Sequence, residues 1–279
     1  MKLILGDNQF FGINHHDLKK GEEVKNKFQK IESIKEFIDS SINLGMDGFM
    51  INSNEKGYDL VKKYSFNPSV EIHYSIPYPH KFASIVAEGG MPSLLSYFIK
   101  NSSFITNFTS GLRLILSKDL THLTRPSVTL EVPDSLPKNS WVYLQNVITD
   151  LLIGLGRNDI IYAYIKAVRK MGYKPGLITL NPIMLDEILT QNKKDDYEDL
   201  IVCYNINSSG FNVFPSLDEV VTYTQSKHDY SLMGMSIFSS GAENIPKSID
   251  FISKQNLDYV VFGTSKLTNL KNNIDMFGT

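Results

Sequence analysis

At 279 residues with 42% hydrophobic content, the chain is long enough to bury one large core, so a single domain over 1–279 is expected. A formal charge of −2 and a pI near 6.3 supply no basic field, which argues against nucleic acid or membrane as partner and for a small molecule. The lone Cys203 excludes an internal disulfide or a multi-cysteine zinc site; with no secretory leader pattern and no uninterrupted membrane-spanning run, a cytoplasmic protein is expected.

Residues 2–7 read as a strand opening onto a loop that carries His15 and His16, and residues 31–44 place Ile31, Ile34, Phe37, Ile38 and Ile42 at helical spacing. A second strand (47–52) leads into a helix (55–64), and a third strand follows at 71–77. Residues 78–126 then interrupt the rhythm with two or more helical patterns, read as an inserted lid or subunit contact through which a homo-oligomer could form. The alternation Ser127-Val-Thr-Leu-Glu-Val132 suggests the fourth strand, with one or two helices over 140–172. Strands at 176–181, 200–205, 231–237 and 259–262 complete the series, separated by helices at 183–191, 216–226 and 244–255. Eight strands alternating with helices is the count of an α/β protein of the (β/α)₈ TIM-barrel class, here with a helical insertion between strands 3 and 4.

After the last strand, Gly263-Thr264-Ser265 breaks the apolar run and a helical pattern begins. Main-chain N–H groups at such a turn, with the helix dipole behind them, suit a phosphate; the alternative is that Thr264, Ser265 or Thr268 caps the helix. No Rossmann or P-loop glycine fingerprint is present.

Side chains alternate across a barrel wall, and the active face lies at the C-terminal strand ends. Parity sends Glu71, His73 and Ser75 inward on the third strand and Ser127, Thr129 and Glu131 inward on the fourth. It sets Asp7, Asn52, Asn181, Asn205, Ser236 and Gly263 around the mouth. Two chemistries follow. In one, the mouth takes a substrate beside Asn52, Ser75 and His15. In the other, His73 and Glu131 exchange protons as a lyase, isomerase or hydrolase would use them, a divalent metal being an option with Asp7 as third ligand. The absence of a His-x-His pair argues against the metal. No lysine ends an inward strand position, which argues against Schiff-base chemistry.

The two ends of the chain resemble the aldo-keto reductases, NAD(P)-dependent (β/α)₈ oxidoreductases. The resemblance is carried by Leu5-Gly-Asp-Asn-Gln-Phe-Phe-Gly12, by Met235-Ser-Ile-Phe-Ser-Ser-Gly241 and by the stretch from Gly263 to Asn273. It implies that NADP or NAD lies with its adenosine phosphate against Gly263, Thr264, Ser265, Asn269 and Asn273 and its nicotinamide near Asn181, Asn205 and Ser236. The family's Asp, Tyr, Lys and His tetrad is not retained. Asn52 stands for the aspartate, Tyr58 falls near the tyrosine, His73 or Ser75 replaces the lysine and Glu131 the histidine. A barrel without these catalytic groups could also be an inactive interaction protein.

Overall fold

The computed structural model describes residues 1–11, 26–77, 121, 124–192, 196–241 and 243–278. Eight parallel strands close into a barrel in sequence order: β1 (Lys2–Leu5), β2 (Gly48–Asn52), β3 (Glu71–Ile76), β4 (Trp141–Leu144), β5 (Lys174–Thr179), β6 (Ile201–Asn205), β7 (Ser231–Met235) and β8 (Tyr259–Phe262). β8 pairs back onto β1, so the sheet has no free edge. The helices that bear on the site are α1 (Ile31–Asn43), α2 (Glu55–Lys63), α3 (Thr124–Glu131), α4 (Asn146–Gly154), α5 (Asn158–Lys170), α6 (Pro182–Gln191), α7 (Leu217–Gln225), α8 (Ile245–Ser253) and α9 (Leu267–Phe277).

The wall separates two cores. Outside it, Leu3, Leu5, Phe49, Ile51, Ile72, Tyr74, Val142, Leu144, Val202 and Tyr204 meet the helices. Inside, Ile4, Trp141, Tyr143, Ile178, Ile201, Cys203, Met233, Tyr259 and Val261 fill the lumen. The filling is tight. A Cβ built on Gly176 would lie 2.3 Å from the Tyr143 ring, so glycine is what lets that ring lie across the barrel against β5. A lumen packed in this way is a core and not a pore, which leaves the mouth for chemistry.

Residues 127–132 do not form the fourth strand. Residues 127–131 lie in α3 and Val132 just follows it, while β4 is Trp141–Leu144, a stretch read from sequence as the start of a helix. The buried positions Thr124, Val128, Glu131 and Val132 recur at the helical interval, and Pro126 sits in the first turn, where its missing N–H costs nothing. The two-residue alternation of Ser, Thr and Glu with Val and Leu competes with that stripe in so short a window. The apolar, aromatic run 141–144 is buried at every position, as a parallel barrel strand requires. The connection from β3 to β4 runs from Ile76 to Trp141 and includes α3; the insertion read at 78–126 falls on residues of which 78–120 and 122–123 lie outside the described ones. Among the described residues no helix is long and apolar enough to cross a membrane.

The Gly176 contact makes a clean test of the packed lumen. Gly176→Ala should lower unfolding free energy by about 1–3 kcal/mol, the usual cost of overpacking, whereas Gly154→Ala in α4, where the added methyl meets nothing within 4 Å, should be neutral or raise it by up to about 1 kcal/mol; urea unfolding of both variants measures the contrast.

Candidate active site

Four neutral or acidic side chains from four consecutive strands meet at the mouth. Asp7, just past β1, is buried, and its Oδ2 accepts both the main-chain N–H of Asn52 (2.7 Å) and its Nδ2 (2.8 Å). The Asn52 Oδ1 in turn accepts from Ser75 Oγ at 3.0 Å and from Gln145 Nε2, which also bonds Ser75 Oγ. Every amide orientation here is fixed by its partner: Asn52 gives its NH₂ to a carboxylate and so must turn its carbonyl to the donors. The cluster is where strand ends converge in register, Asn52 lying beside Ser75 and Ser75 beside Tyr143, two residues before Gln145.

Asp7 is the ionisable member. Burial lifts its pKa from the ordinary carboxylate value to about 6, and the hydrogen bonds from Asn52 and from its own main chain pull the other way. No charged side chain contributes to the shift. The group is therefore mostly a carboxylate at neutral pH and titrates in mildly acidic solution.

His73 points inward as parity predicts, but one layer deeper. Its Nδ1 lies 2.8 Å from the Tyr143 hydroxyl, its ring stacks on Trp141 with centroids 6.1 Å apart, and its Nε2 is 3.5 Å from Glu71 Oε2. Full burial lowers its pKa, outweighing the opposite pull of Glu71. Glu71 itself is held at about 2: burial would raise it, and the contacts with His73 and Lys2 more than compensate. His73 is thus a neutral histidine within the lumen filling, below the mouth.

Glu131 and Tyr58 do not join it. Glu131 ends α3, outside the wall, where it is buried and accepts a hydrogen bond from Ser53 Oγ at 2.7 Å. Tyr58 stands half-buried on α2, with the Lys62 ammonium 5.9 Å from its ring centre. Burial first, then the proximity of Glu131 and Tyr58, raises the pKa of Tyr74, an outward residue of β3. Glu131 and Tyr58 therefore belong to the helix side of β3 and His73 to the lumen side. The pairing of His73 with Glu131, and the ligand set of those two with Asp7, is corrected on this ground: both rested on placing residues 127–132 in a strand.

On the far side of the mouth, Asn205 ends β6, almost fully buried, and donates through Nδ2 to the carbonyl of Asn212 at 2.9 Å. Asn181 caps α6, its Oδ1 accepting the N–H of Met184 at 3.1 Å. Parity set Asn181 on a strand; β5 ends at Thr179, two residues earlier. Each amide keeps one half without a protein hydrogen bond among the described residues, Nδ2 on Asn181 and Oδ1 on Asn205. That is one donor and one acceptor on neighbouring elements, the complement of a primary carboxamide. Ser236 follows β7 with φ of 59°, a left-handed turn that takes it off the strand's alternation. The loops after β6 and β7 are joined by Ser209 Oγ and Ser239 Oγ at 2.8 Å and by Ser208 on Glu243.

The turn after β8 is Gly263 to Lys266, and α9 begins without a side-chain cap on its N-terminal N–H groups. Thr264 Oγ1 is occupied by the N–H of Lys266 at 3.3 Å, and the ammonium of Lys27 holds the Ser265 carbonyl at 2.7 Å. Gln9 lies over Gly263: a Cβ there would stand 2.2 Å from its Oε1, an enclosed atom with no hydrogen-bond partner. On α9, Asn273 is buried and Asn269 exposed. His15 lies outside the described residues. Among the described residues no group of three or more His, Cys, Asp and Glu side chains is placed to hold a metal ion. At the other end of the barrel, an open cleft of about 500 Å³ is lined by Asp196, Glu198, His228, Asp229 and Asp258; His228 there is engaged by the Tyr223 carbonyl at 2.8 Å and by Asp186.

Gln145 and Gln9 are the members that sequence reasoning missed. Gln145 carried a usable signal, since it continues the inward set Trp141, Tyr143 once that run is taken as a strand.

Over nearly its whole length the chain superposes on known barrels. A crystal structure named as a "putative aldo-keto reductase" from Pseudomonas aeruginosa matches with a TM-score of 0.59 and 14% identity, covering 99% of this chain and 88% of that one. The likeness is one of fold, a closed barrel of eight parallel strands. A second structure of the same description from that organism gives a TM-score of 0.56, again with 14% identity and coverage of 99% and 88%. No protein-family model matches the sequence. No curated protein matches it either.

The raised pKa of Asp7 makes a stability prediction with a definite sign. Between the unfolded value near 3.8 and the folded value of about 6, the native state binds more protons than the unfolded one, so this group's contribution falls as pH rises through that window. Asp7→Asn lacks the titration. Its stability relative to the wild type should therefore rise by up to about 3 kcal/mol between about pH 4 and pH 7, read from urea unfolding at a series of pH values.

Proposed function

We propose that this protein is a nicotinamide-nucleotide-binding oxidoreductase of the aldo-keto reductase type, acting on a small molecule with a rearranged set of catalytic groups. The observation that carries the reading is a pair of amide atoms without a protein hydrogen bond among the described residues, Asn181 Nδ2 and Asn205 Oδ1, on the same rim as the N-terminus of α9, which has no side-chain cap. The donor set fits the nucleotide. One end of the site offers main-chain N–H groups and the Lys27 ammonium to a phosphate, and the other offers an acceptor and a donor to a carboxamide.

When bound, the nucleotide would supply hydride chemistry, and this chain's residues would do the rest. Asn181 and Asn205 would orient the carboxamide. Gly263 to Ser265 would cradle the adenosine phosphate, and Asn269 and Asn273 would flank the adenine side of α9. Asn52, Ser75 and Gln145 would bind the substrate's polar groups. The lumen beneath is filled by apolar side chains, Tyr143 and Met233 among them fully buried.

The reading is tested by titrating the protein with NADPH and NADH and following cofactor fluorescence. A saturable change is expected, and Ser265→Asp, which sets a negative charge at the phosphate turn, should weaken NADPH binding roughly tenfold. No saturable change with either nucleotide at submillimolar concentration would overturn the reading.

A further inference from the structure

We propose that His228 is a proton-gated clamp: held as an imidazolium, it ties α6 and α7 to the start of β7, and loss of its proton loosens α6, the helix capped by Asn181. The clamp is independent of the nucleotide reading and lies away from the mouth.

Both ring nitrogens of His228 face acceptors. Nε2 lies 2.8 Å from the main-chain carbonyl of Tyr223 in the last turn of α7, and Nδ1 lies 3.4 Å from Asp186 Oδ1 on α6. A carbonyl only accepts, so Nε2 carries a hydrogen. An ionised carboxylate only accepts too, and a bare Nδ1 would turn its lone pair toward it. The two contacts are satisfied together when both nitrogens are protonated, which makes the ring a cation.

The surroundings favour that cation. Asp186 Oδ1 also accepts from the hydroxyl of Tyr230, the residue before β7, and the Tyr230 and Tyr223 hydroxyls are 3.2 Å apart. The imidazole lies against both of these rings, its centroid 4.5 Å from that of Tyr223 and 5.1 Å from that of Tyr230, where a positive charge gains from the π faces. The cleft on this side adds Asp229 next in the chain, Asp196 and Glu198 from the connection before β6, and Asp258 from that before β8. Residues 193–195 of the first connection lie outside the described ones.

The titration follows from these contacts. Burial alone would push the imidazole pKa down, and the bonds to Asp186 and to the Tyr223 carbonyl more than reverse it, so it is raised above the ordinary 6.5. For Asp186, burial would raise the carboxyl, and His228 and then Tyr230 outweigh it, so it is lowered. Tyr223 and Tyr230 are raised, by burial first, and stay neutral. A histidine raised on folding contributes in full below its unfolded value of about 6.5, and the contribution is lost as pH rises through the folded value. The acid limit is set by Asp186, whose contribution is lost as pH falls below its ordinary 3.8.

Release acts on one flank of α6. On the other, the Tyr162 hydroxyl of α5 donates to the Ile188 carbonyl at 2.6 Å, a bond that does not titrate in this range. Loss of the His228 proton therefore loosens α6 from α7 while the strands of the barrel stay paired.

Two measurements on the full chain test the clamp. In the first, NMR of the histidine ring nitrogens follows His228 in the wild type and in Asp186→Asn, which keeps an acceptor for the Tyr230 hydroxyl. Both nitrogens should be protonated at pH 6, with a midpoint above 6.5 in the wild type and a lower one in the variant. In the second, hydrogen exchange of the α6 amides is followed from pH 6 to pH 9 and corrected for the base-catalysed rise of intrinsic exchange. The opening of α6 should grow at least about threefold across the His228 midpoint, and should not change with pH in His228→Gln, which retains a donor for the Tyr223 carbonyl. A singly protonated ring at pH 6, a midpoint at or below 6.5, or one unmoved in Asp186→Asn would overturn the imidazolium. A raised midpoint with α6 opening that ignores it, or that rises equally in His228→Gln, would overturn the gating. The wild-type titration stands without either variant, so a variant that does not fold leaves the clamp open to refutation.

Discussion

Alternation across the barrel wall is the constraint on which the rest of the structure depends. Each strand sends one set of side chains to the helices and the other to the lumen, and here the lumenal set is bulky: Trp141, Tyr143, Ile178, Met233 and Tyr259 fill it. Once the interior is packed to that extent, polar lumenal residues below the rim must find partners within the core, as His73 does with Tyr143. Polar residues at the rim are free to face a ligand. The functional surface is therefore a ring of strand ends, and residue type at each end sets its chemistry.

Around that ring the chemistry is divided. The β1–β4 arc carries a carboxylate, two amides and a hydroxyl tied together by hydrogen bonds. The β5–β8 arc carries two half-used amides, a stitched pair of loops and an uncapped helix end. Leaving four helix N–H groups without a side-chain cap costs stability unless water or an anion takes them, and the turn at Gly263 keeps the chain close enough for a ligand to do so. At the ends of β3 and β4 on the first arc stand Ser75 and Gln145, neither of them a lysine or a histidine.

Most of the barrel was legible in the sequence because seven of its strands combine an apolar run with a turn signal, and the helices between them carry clear stripes. The fourth strand was not, for a physical reason. Residues 124–132 satisfy a two-residue and a helical period at once, and a four-residue apolar strand such as 141–144 has no alternation to reveal it. That one exchange displaced Glu131 from the wall and hid Gln145. Asn52, Ser75 and Asn205, each within its strand, were placed by parity alone. Asp7, Asn181 and Ser236 each follow a strand that has already ended, where the alternation no longer governs direction: Asp7 still reaches the Asn52 amide, whereas Asn181 caps α6 and Ser236 turns through a left-handed φ. The depth of His73 was also beyond parity, which tells the side of the wall but not the layer.

A crystal structure of the protein grown with NADP⁺ tests the central claim most directly. The account predicts one nucleotide extended along the β5–β8 arc, with its adenosine phosphate on the N–H groups of Gly263 to Leu267, its carboxamide bridging Asn181 and Asn205, and its nicotinamide ring facing the cluster of Asn52, Ser75 and Gln145. Density confined to the cleft at the opposite end of the barrel, or a mouth left empty at saturating nucleotide, would contradict it.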